Sequence, residues 1–262
     1  FDIIRLVDRH PAPARAKAIV ASPAGLRKWA NGVTWNRTKN MMHPHTELRF
    51  MSEAIGHGVV ATRDIPAGTI TWVQDKLDRE FEPTQIELLG ERYINHLGTY
   101  CFRNQFGRWV LCWDHARFVN HSFKSNCMTT AYNFEIAIRD IKAGEELTDD
   151  YGYLNVSESF HPIDEGCERK VVHPDDLVRF YPDWDNVLRA TWPQIPGVDQ
   201  PLRPLLEAGL WRRIERIAHG KEQMASILRC FFNPDEAEAV MIEGKENAID
   251  GSVAGLREWN HR

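Results

Sequence analysis

Short hydrophobic runs, alternating or rich in β-branched residues and broken by glycine and proline, fill the chain from about residue 48 to 153. Runs of this length that are bounded by turn residues are typical of β-strands. The pattern predicts a strand over 59–65 and a return strand over 69–73, joined by a Pro-Ala-Gly turn. It also predicts a hairpin over 100–114, whose polar turn contains a glycine.

Six residues of the first turn recur near the end of this β-rich region. Arg-Asp-Ile-Pro-Ala-Gly at 63–68 and Arg-Asp-Ile-Lys-Ala-Gly at 139–144 differ only in the fourth residue. Each copy follows one apolar run and precedes another. Because two copies are too few for a solenoid, they predict two similar strand–turn–strand corners within one β-domain.

Helical periodicity is found in three parts of the chain. Inside the β-rich region, the spacing of hydrophobic residues predicts a helix over 84–97. Near the N-terminus, residues 22–30 are the best helix candidate. A loop-like stretch begins after residue 153, and the chain then predicts four helices, over 175–192, 202–219, 222–232 and 235–243.

These patterns predict a mainly β fold with helical flanks, which belongs to the α+β class. We divide the chain into a basic N-terminal flank (1–46), a β-domain (47–155) and a helical C-terminal region (156–262). About 75–113 forms an insert with a helix in the β-domain. Two arrangements of the C-terminal region stay open: it wraps the β-domain and closes its site, or it forms a separate docking domain.

The composition is typical of a globular protein and argues against a membrane protein and a disulfide-rich one. The chain is 43% hydrophobic and 26% charged, as ordinary globular proteins are. No apolar run approaches the roughly 20 residues that cross a bilayer, so we expect no membrane association. Five cysteines without a CxxC pair argue against a zinc knuckle or a disulfide framework. They favour thiols in a reducing, intracellular compartment, cytoplasmic or nuclear.

Charge is distributed unevenly along the chain. The net charge of -5 argues against a nucleic-acid binder that uses the whole chain. In the flank 1–46, however, lysine and arginine greatly outnumber aspartate. Two interpretations of this flank stay open: a solvated segment, and a basic arm that contacts nucleic acid or an acidic partner.

Three segments bear candidate chemistry. Residues 56–58, Gly-His-Gly, stand just before a strand, and their glycines let the backbone approach a ligand because no Cβ intervenes. Residues 117–122 read Arg-Phe-Val-Asn-His-Ser. Residues 144–152 read Gly-Glu-Glu-Leu-Thr-Asp-Asp-Tyr-Gly. If the chain is extended here, Tyr151 and Tyr153 point to the same side. The plain alternatives are a turn, a capping turn and two tyrosines at the edge of the core.

In this order and at these distances, the segments resemble the SET-domain protein-lysine methyltransferases. The family pattern is a GxG, then R-F-x-N-H-S, then G-E-E-L-T-x-x-Y-G, and the resemblance covers about 48–153. It implies a SET-type β-clip of short sheets with a threaded, knot-like C-terminal part. It also implies the transfer of methyl groups from S-adenosyl-L-methionine to a lysine side chain of a protein, either a histone or another basic protein.

The resemblance implies roles for individual residues. Tyr151 would stand at the methyl-transfer pore as the catalytic residue, in contact with the cofactor. The backbone of Gly56, His57 and Gly58, together with Asn120 and His121, would hold the cofactor. The substrate channel would be lined by Tyr153, Thr129, Trp72 and Tyr100.

In the C-terminal region, Phe180, Tyr181 and Trp184 offer an aromatic ring that would stack on the adenine of the cofactor. We select Trp184 for this role. Core packing against the β-domain is the alternative for each of the three rings.

Two departures from the family pattern change what the resemblance implies. Many members that act on histones bind zinc through a cysteine directly after the N-H-S run, where this chain has Phe123, so no metal is expected. Thr129 and Trp72 stand where several relatives have pocket aromatics or a pocket tyrosine, which leaves the number of transferred methyl groups open. A SET-fold protein without turnover, which binds a peptide or nucleic acid, is the alternative function.

An acidic run lies close to the expected mouth of the channel. Glu145, Glu146, Asp149 and Asp150 would attract a basic peptide there. A solvated strand edge explains Glu145 and Asp149 equally well. Nothing in the sequence determines the oligomeric state.

Overall fold

A computed structural model describes residues 41–233, so the predicted helices at 22–30 and 235–243 and most of the basic flank lie outside the described residues. The described strands are β1 (Thr46–Ser52), β2 (Gly56–Ala61), β3 (Ile70–Val73), β4 (Arg79–Phe81), β5 (Cys101–Arg103), β6 (Trp109–Leu111), β7 (Asn120–His121), β8 (Cys127–Thr129), β9 (Phe134–Ala137) and β10 (Glu146–Asp149). The α-helices are α1 (Pro83–Glu87), α2 (Glu91–Tyr100), α3 (Asp176–Thr191) and α4 (Ala208–Ala218).

The strands form three small sheets. Their orders are β1-β2-β10-β7, β3-β9-β8 and β4-β6-β5. Neighbouring strands are antiparallel except β7 and β10, which run parallel, with Asn120 beside Thr148 and His121 beside Asp149. The prediction of a mainly β fold of short sheets with helices is confirmed. The threaded, knot-like crossing stays a prediction.

The two copies of the repeated sequence contact each other as equivalent partners. The backbone N–H groups of Ile65 and Ile141 each donate to the other residue's carbonyl, at 2.8 and 2.9 Å. Asp140 accepts a backbone N–H of the first turn at 3.0 Å, and Asp64 accepts one of the second turn at 2.9 Å. The two corners are therefore related by a local approximate twofold axis.

Each corner moves the chain from one sheet to another. The first leads from β2 to β3, and the second leads from β9 back to β10 in the sheet of β2. The return strand predicted over 69–73 is thus present, but it pairs with β9 and not with β2. The difference arises because the partner of β3 is the strand that leads into the second corner, 76 residues further along the chain. A local sequence pattern cannot predict a pairing over that distance.

The predicted helices are confirmed in part. The hairpin over 100–114 is present as β5 and β6, and the helix over 175–192 is present as α3. The helix over 84–97 is broken at Gly90 into α1 and α2. The prediction over 222–232 is wrong except for a 3₁₀ turn at Ile227–Cys230. Between residues 41 and 233, no helix is long and apolar enough to cross a bilayer.

Residues 222–232 do not form the predicted helix because their side chains make tertiary contacts that a continuous helix would not allow. Glu222 pairs with Arg213 and Arg216 of α4, at 2.5 and 2.7 Å. The apolar residues that follow are used for packing on the sheet and on α3, since Met224 and Ile227 are buried in the core that α3 shares with β3, β8 and β9.

Candidate functional site

The parallel pairing of β7 with β10 brings the three candidate segments together. The backbone N–H of Ser122 donates to the carbonyl of Asp149 at 2.9 Å, which extends the pairing by one residue. The side-chain amide of Asn120 donates to the carbonyl of His57 at 3.0 Å. Residues that are more than 60 positions apart in sequence thus meet at one place.

Gly56 and Gly58 fit this place because neither position accepts a larger residue easily. Gly56 has φ of +81°, a left-handed conformation that favours glycine. A Cβ at Gly58 would lie 2.2 Å from Oε1 of Glu146 and 2.9 Å from Cγ of Met51. The same Glu146 carboxylate accepts the Asn120 amide at 2.7 Å, so it lies over the glycine backbone.

His121 is buried between backbone and aromatic rings. Its Nδ1 accepts the backbone N–H of Tyr151 at 3.1 Å, so Nε2 bears the proton of the neutral ring. Within the part of the chain that the structure describes, this buried Nε2 has no hydrogen-bond partner. Burial lowers the pKa of His121 below its usual value and keeps the ring neutral. The rings of Phe123 and Phe160 lie 4.5 and 5.9 Å from it.

Tyr151 and Tyr153 point in different directions, contrary to the prediction for an extended chain. The strand β10 ends at Asp149, and Tyr151–Tyr153 is a 3₁₀ turn, which separates residues two positions apart. The hydroxyl of Tyr151 donates to the carbonyl of Val119 at 2.6 Å. The hydroxyl of Tyr153 donates to the buried carboxylate of Asp149 at 2.8 Å.

A cavity of about 300 Å³ opens beside Tyr151. Trp72, Tyr100 and Thr129, which the sequence predicts for the substrate channel, all line it. Phe160 also lines it, and its ring lies 6.2 Å from that of Tyr151. The exposed lining of the cavity is therefore mainly apolar, and it includes residues of the second and third segments but none of residues 56–58.

Two predicted site residues lie in the core and outside the lining of this cavity. Tyr153 is 1% exposed and packs edge-on against Trp184, with ring centroids 5.2 Å apart. Trp184, selected for adenine stacking, also packs on Phe180. Their contacts match the core-packing alternative for Trp184. The rings beside His121 are instead those of Phe123 and Phe160.

Two buried acids line the cavity: Glu135, which was not selected from the sequence, and Asp149, which was predicted only as part of the acidic run at the channel mouth. Glu135 lies between Trp72 and Thr129 in the β3-β9-β8 sheet and is directly opposite both, so the three side chains form one row. Asp149, at the end of β10, is the second acid. A glutamate inside the apolar run Phe-Glu-Ile-Ala was the available signal in the sequence.

The buried acids correct the interpretation of the acidic run. Asp149 is 6% exposed, so a solvated strand edge is wrong for this residue, and Asp150 is buried as well, at 3%. The carboxylate of Asp150 pairs with Arg169 and accepts the backbone N–H of Gly152 at 2.9 Å. Only Glu145 and Glu146 of the run are substantially accessible to solvent.

The part of the chain that contains the three segments is similar to a known family. Residues 56–152 match the family model described as SET domain. One chain of the solved structure "Apo ctPRC2 in an autoinhibited state" matches with 26% sequence identity and a TM-score of 0.35. That match covers 42% of this chain and 15% of the length of the other chain. No curated protein matches the sequence.

Proposed function

Because residues 56–152 of this chain belong to the SET-domain family, we propose that the chain is a protein-lysine methyltransferase that uses S-adenosyl-L-methionine. The proposal rests on one observation above all, the position of Tyr151. Its backbone N–H is bonded to His121, and its ring lines the cavity. One residue thus joins the proposed cofactor side to the proposed substrate channel.

The residues present fit this cofactor on structural grounds. The backbone of Gly58 is closely approached by the Glu146 carboxylate, which a Cβ there would displace. His121 has an orphaned, buried N–H that a ligand acceptor would satisfy. Gly56, His57, Gly58, Asn120 and His121 would hold the cofactor, which supplies an electrophilic methyl group on a sulfonium when bound.

The cavity suits a lysine side chain. A lysine in water has a pKa of about 10.4 and must lose a proton before its nitrogen can attack a methyl group. A wall that includes Trp72, Tyr100 and Phe160 excludes water from the neutral amine that attacks, so the proton of the lysine must be passed on before transfer. Holding the amine in line with the methyl group contributes the larger part of catalysis, roughly 7–11 kcal/mol in well-oriented reactions.

Tyr151 is the proposed catalytic residue. Burial raises the pKa of its phenol above the usual value, so the hydroxyl stays protonated. Because its proton is directed to the carbonyl of Val119, the lone pairs of the phenol oxygen stay available as acceptors beside the cavity. They orient the attacking amine and the transferred methyl group.

We propose that the substrate is a lysine-containing basic protein, either a histone or another protein of that charge. The basic flank 1–46, mostly outside the described residues, is a proposed contact for nucleic acid or an acidic partner. The C-terminal helices are proposed to flank the site, since α3 contacts the 3₁₀ turn that bears Tyr151.

The experiment is transfer of labelled methyl groups from S-adenosyl-L-methionine to histones and to a lysine-rich protein extract. We expect label in a protein band, and a loss of about a hundredfold or more in the Tyr151→Phe variant, because one positioned hydroxyl is removed at the transfer site. Tyr93→Phe is the matched control, since Tyr93 is 63% exposed on α2.

Two outcomes would count against the proposal. If Tyr151→Phe transferred label at the rate of Tyr93→Phe, Tyr151 would not be catalytic. If the wild-type chain bound the cofactor and labelled none of the proteins offered, the alternative of a binding protein without turnover would be favoured.

A further inference from the structure

We propose that Glu135 and Asp149 are the receiving site for the nitrogen of the target side chain in this cavity. The cavity then takes a primary or secondary ammonium, and methylation stops before the quaternary product. This inference rests on the proposed function, which it deepens by assigning the acceptors of the substrate nitrogen.

The two acids come from different sheets and meet at the cavity. Glu135 is on β9, in a row with Trp72 and Thr129. Asp149 ends β10, one residue pair beyond the place where β10 pairs with Asn120. Each acid is 6% exposed, and both line the cavity. They therefore belong to its wall and not to the protein surface.

Neither acid has a cationic partner among residues 41–233. Glu135 accepts the Thr71 hydroxyl at 2.6 Å, and Asp149 accepts the Tyr153 hydroxyl at 2.8 Å, but no ion pair within 4 Å includes either acid in this part of the chain. Buried charges are otherwise nearly always paired, since an isolated one is expensive. A cation from the substrate would supply the missing charge.

The arginines in the wall of the cavity do not supply the positive charge that the two acids lack. Arg103 donates from Nε to the carbonyl of Asn155 at 2.8 Å. Arg117 donates from Nη1 to the carbonyls of Cys112 and Trp113, at 3.3 and 3.2 Å. Both guanidinium groups are thus directed to backbone oxygens.

A second polar group in the same row also lacks a partner. The indole Nε1 of Trp72 is buried, and no hydrogen-bond partner for it is present in residues 41–233. Trp72 is 7% exposed, lines the cavity and lies opposite Glu135. Because an indole N–H is only a donor, an ammonium would not satisfy it, and Trp72 contributes its ring as a wall beside Glu135.

The resting pair is expected to hold a proton. Burial, followed by the neighbouring Glu135 carboxyl, raises the pKa of Asp149 well above its usual range. Four other titratable groups interact with Asp149. They are Cys127 on β8, Asp150 just before the 3₁₀ turn, and Tyr151 and Tyr153 in that turn. All are acids, and Asp150 already pairs with Arg169. An arriving ammonium would displace the shared proton to solvent, and its own N–H groups would donate to the carboxylates.

The test uses three small probes with the same butyl chain in the absence of cofactor: n-butylammonium, the uncharged n-butanol, and butyltrimethylammonium, which is charged but bulkier and has no N–H. Their binding to the full chain is measured by chemical-shift titration. We expect the wild type to bind n-butylammonium about tenfold or more tightly than the other two, because only this probe has a charged N–H. Glu135→Gln should abolish that preference, and the surface control Glu87→Gln should retain it. An equal preference in Glu135→Gln and Glu87→Gln would overturn the proposal.

A measurement on the wild type alone guards against a variant that does not fold. Binding of n-butylammonium should release protons at a pH where Asp149 is protonated, and a pH indicator in weak buffer detects them. Binding should also tighten as the pH rises through the raised pKa of Asp149. Binding without proton release and without pH dependence would show that the acids do not receive the nitrogen.

Failure of this inference is distinguishable from failure of the proposed function. If the wild type transfers methyl groups but yields trimethyl-lysine, and Glu135→Gln does the same, the receiving site is refuted and the function stands. If the cavity selects n-butylammonium but no methyl transfer occurs, the function fails and the receiving site stands.

Discussion

Burial fixes the protonation state of single residues around the cavity. It lowers the pKa of His121 and raises the pKa of Tyr151, so both rings are neutral near pH 7. Each ring then has one defined hydrogen-bonding role: His121 accepts through Nδ1, and Tyr151 donates to Val119. The direction of the hydrogen bonds at the site follows from how deeply these residues are buried.

His43 shows the same effect away from the site and allows a prediction on stability. It is 4% exposed, and burial lowers its pKa from 6.5 to about 4. The unfolded chain therefore binds a proton near pH 6.5 that the folded chain binds only near pH 4. The free energy of unfolding should fall by roughly 3 kcal/mol through His43 as the pH drops from 6.5 to 4.

Denaturant unfolding of the wild type and of His43→Gln at pH 7 and pH 4 measures this contribution. The variant should lose that part of the pH dependence, while His96→Gln, an exposed position on α2, should keep it. Shifts at other groups, such as the pKa of Asp78 raised to about 6 by burial, cancel in the comparison. An unchanged pH dependence in His43→Gln would contradict the prediction.

At the scale of elements, Arg169 fastens the turn that bears Tyr151 to helix α3. Its guanidinium pairs with Asp150 of the turn and, at 2.7 Å, with Asp176 in the first turn of α3. It lies between the rings of Phe123 and Phe180, 4.5 Å from each. The loop between the 3₁₀ turn and α3 therefore contributes the residue that joins these two elements near the site.

Removing the side chain of Arg169 should lower the free energy of unfolding substantially. Arg169→Ala leaves two carboxylates that are at most 4% exposed without their cation, and we expect a loss of about 3–5 kcal/mol in the free energy of unfolding. Arg179→Ala, which removes an exposed pair with Asp175 on the same helix, should cost less than about 0.5 kcal/mol. Equal losses in the two variants, measured by denaturant titration, would refute a structural role for Arg169.

At the scale of the whole molecule, the two corners with repeated sequence connect the sheets through their centre. Ile65 and Ile141 exchange backbone hydrogen bonds there, and both side chains are fully buried in one core cluster. The local twofold relation gives the two isoleucines equivalent surroundings. We therefore expect the same substitution at either isoleucine to cost a similar amount of stability.

Ile65→Ala and Ile141→Ala should each destabilise the fold by about 2–5 kcal/mol, because each leaves a cavity in the same core. Their costs should be similar, since their partners are equivalent. Ile163→Ala, at a position that is 62% exposed, should change stability by less than about 0.5 kcal/mol. Thermal and denaturant unfolding measure all three, and a large loss in only one corner would contradict the twofold relation.

The sequence alone determined the features that depend on neighbouring residues. Residues 104–108 form the predicted hairpin turn, and the backbone of Gly107 is left-handed there, as a glycine permits. The repeated Asp-Ile-x-Ala-Gly predicts two similar corners, and the order of the three segments identifies the family. Trp72, Thr129 and Tyr151 could be selected for the cavity through their positions in the family pattern, with Tyr100 as a substitute for a missing pocket tyrosine, and all four line it.

Only the tertiary structure decided which strands pair and which side chains share the cavity. Strand β3 pairs with β9 across more than 60 residues, and this register places Glu135 beside Trp72. The end of β10 at Asp149 turns Tyr153 into the core against Trp184. Burial and register depend on partners that are distant in sequence, so a local pattern contains the residue types of the site but not the contacts that give them their chemistry.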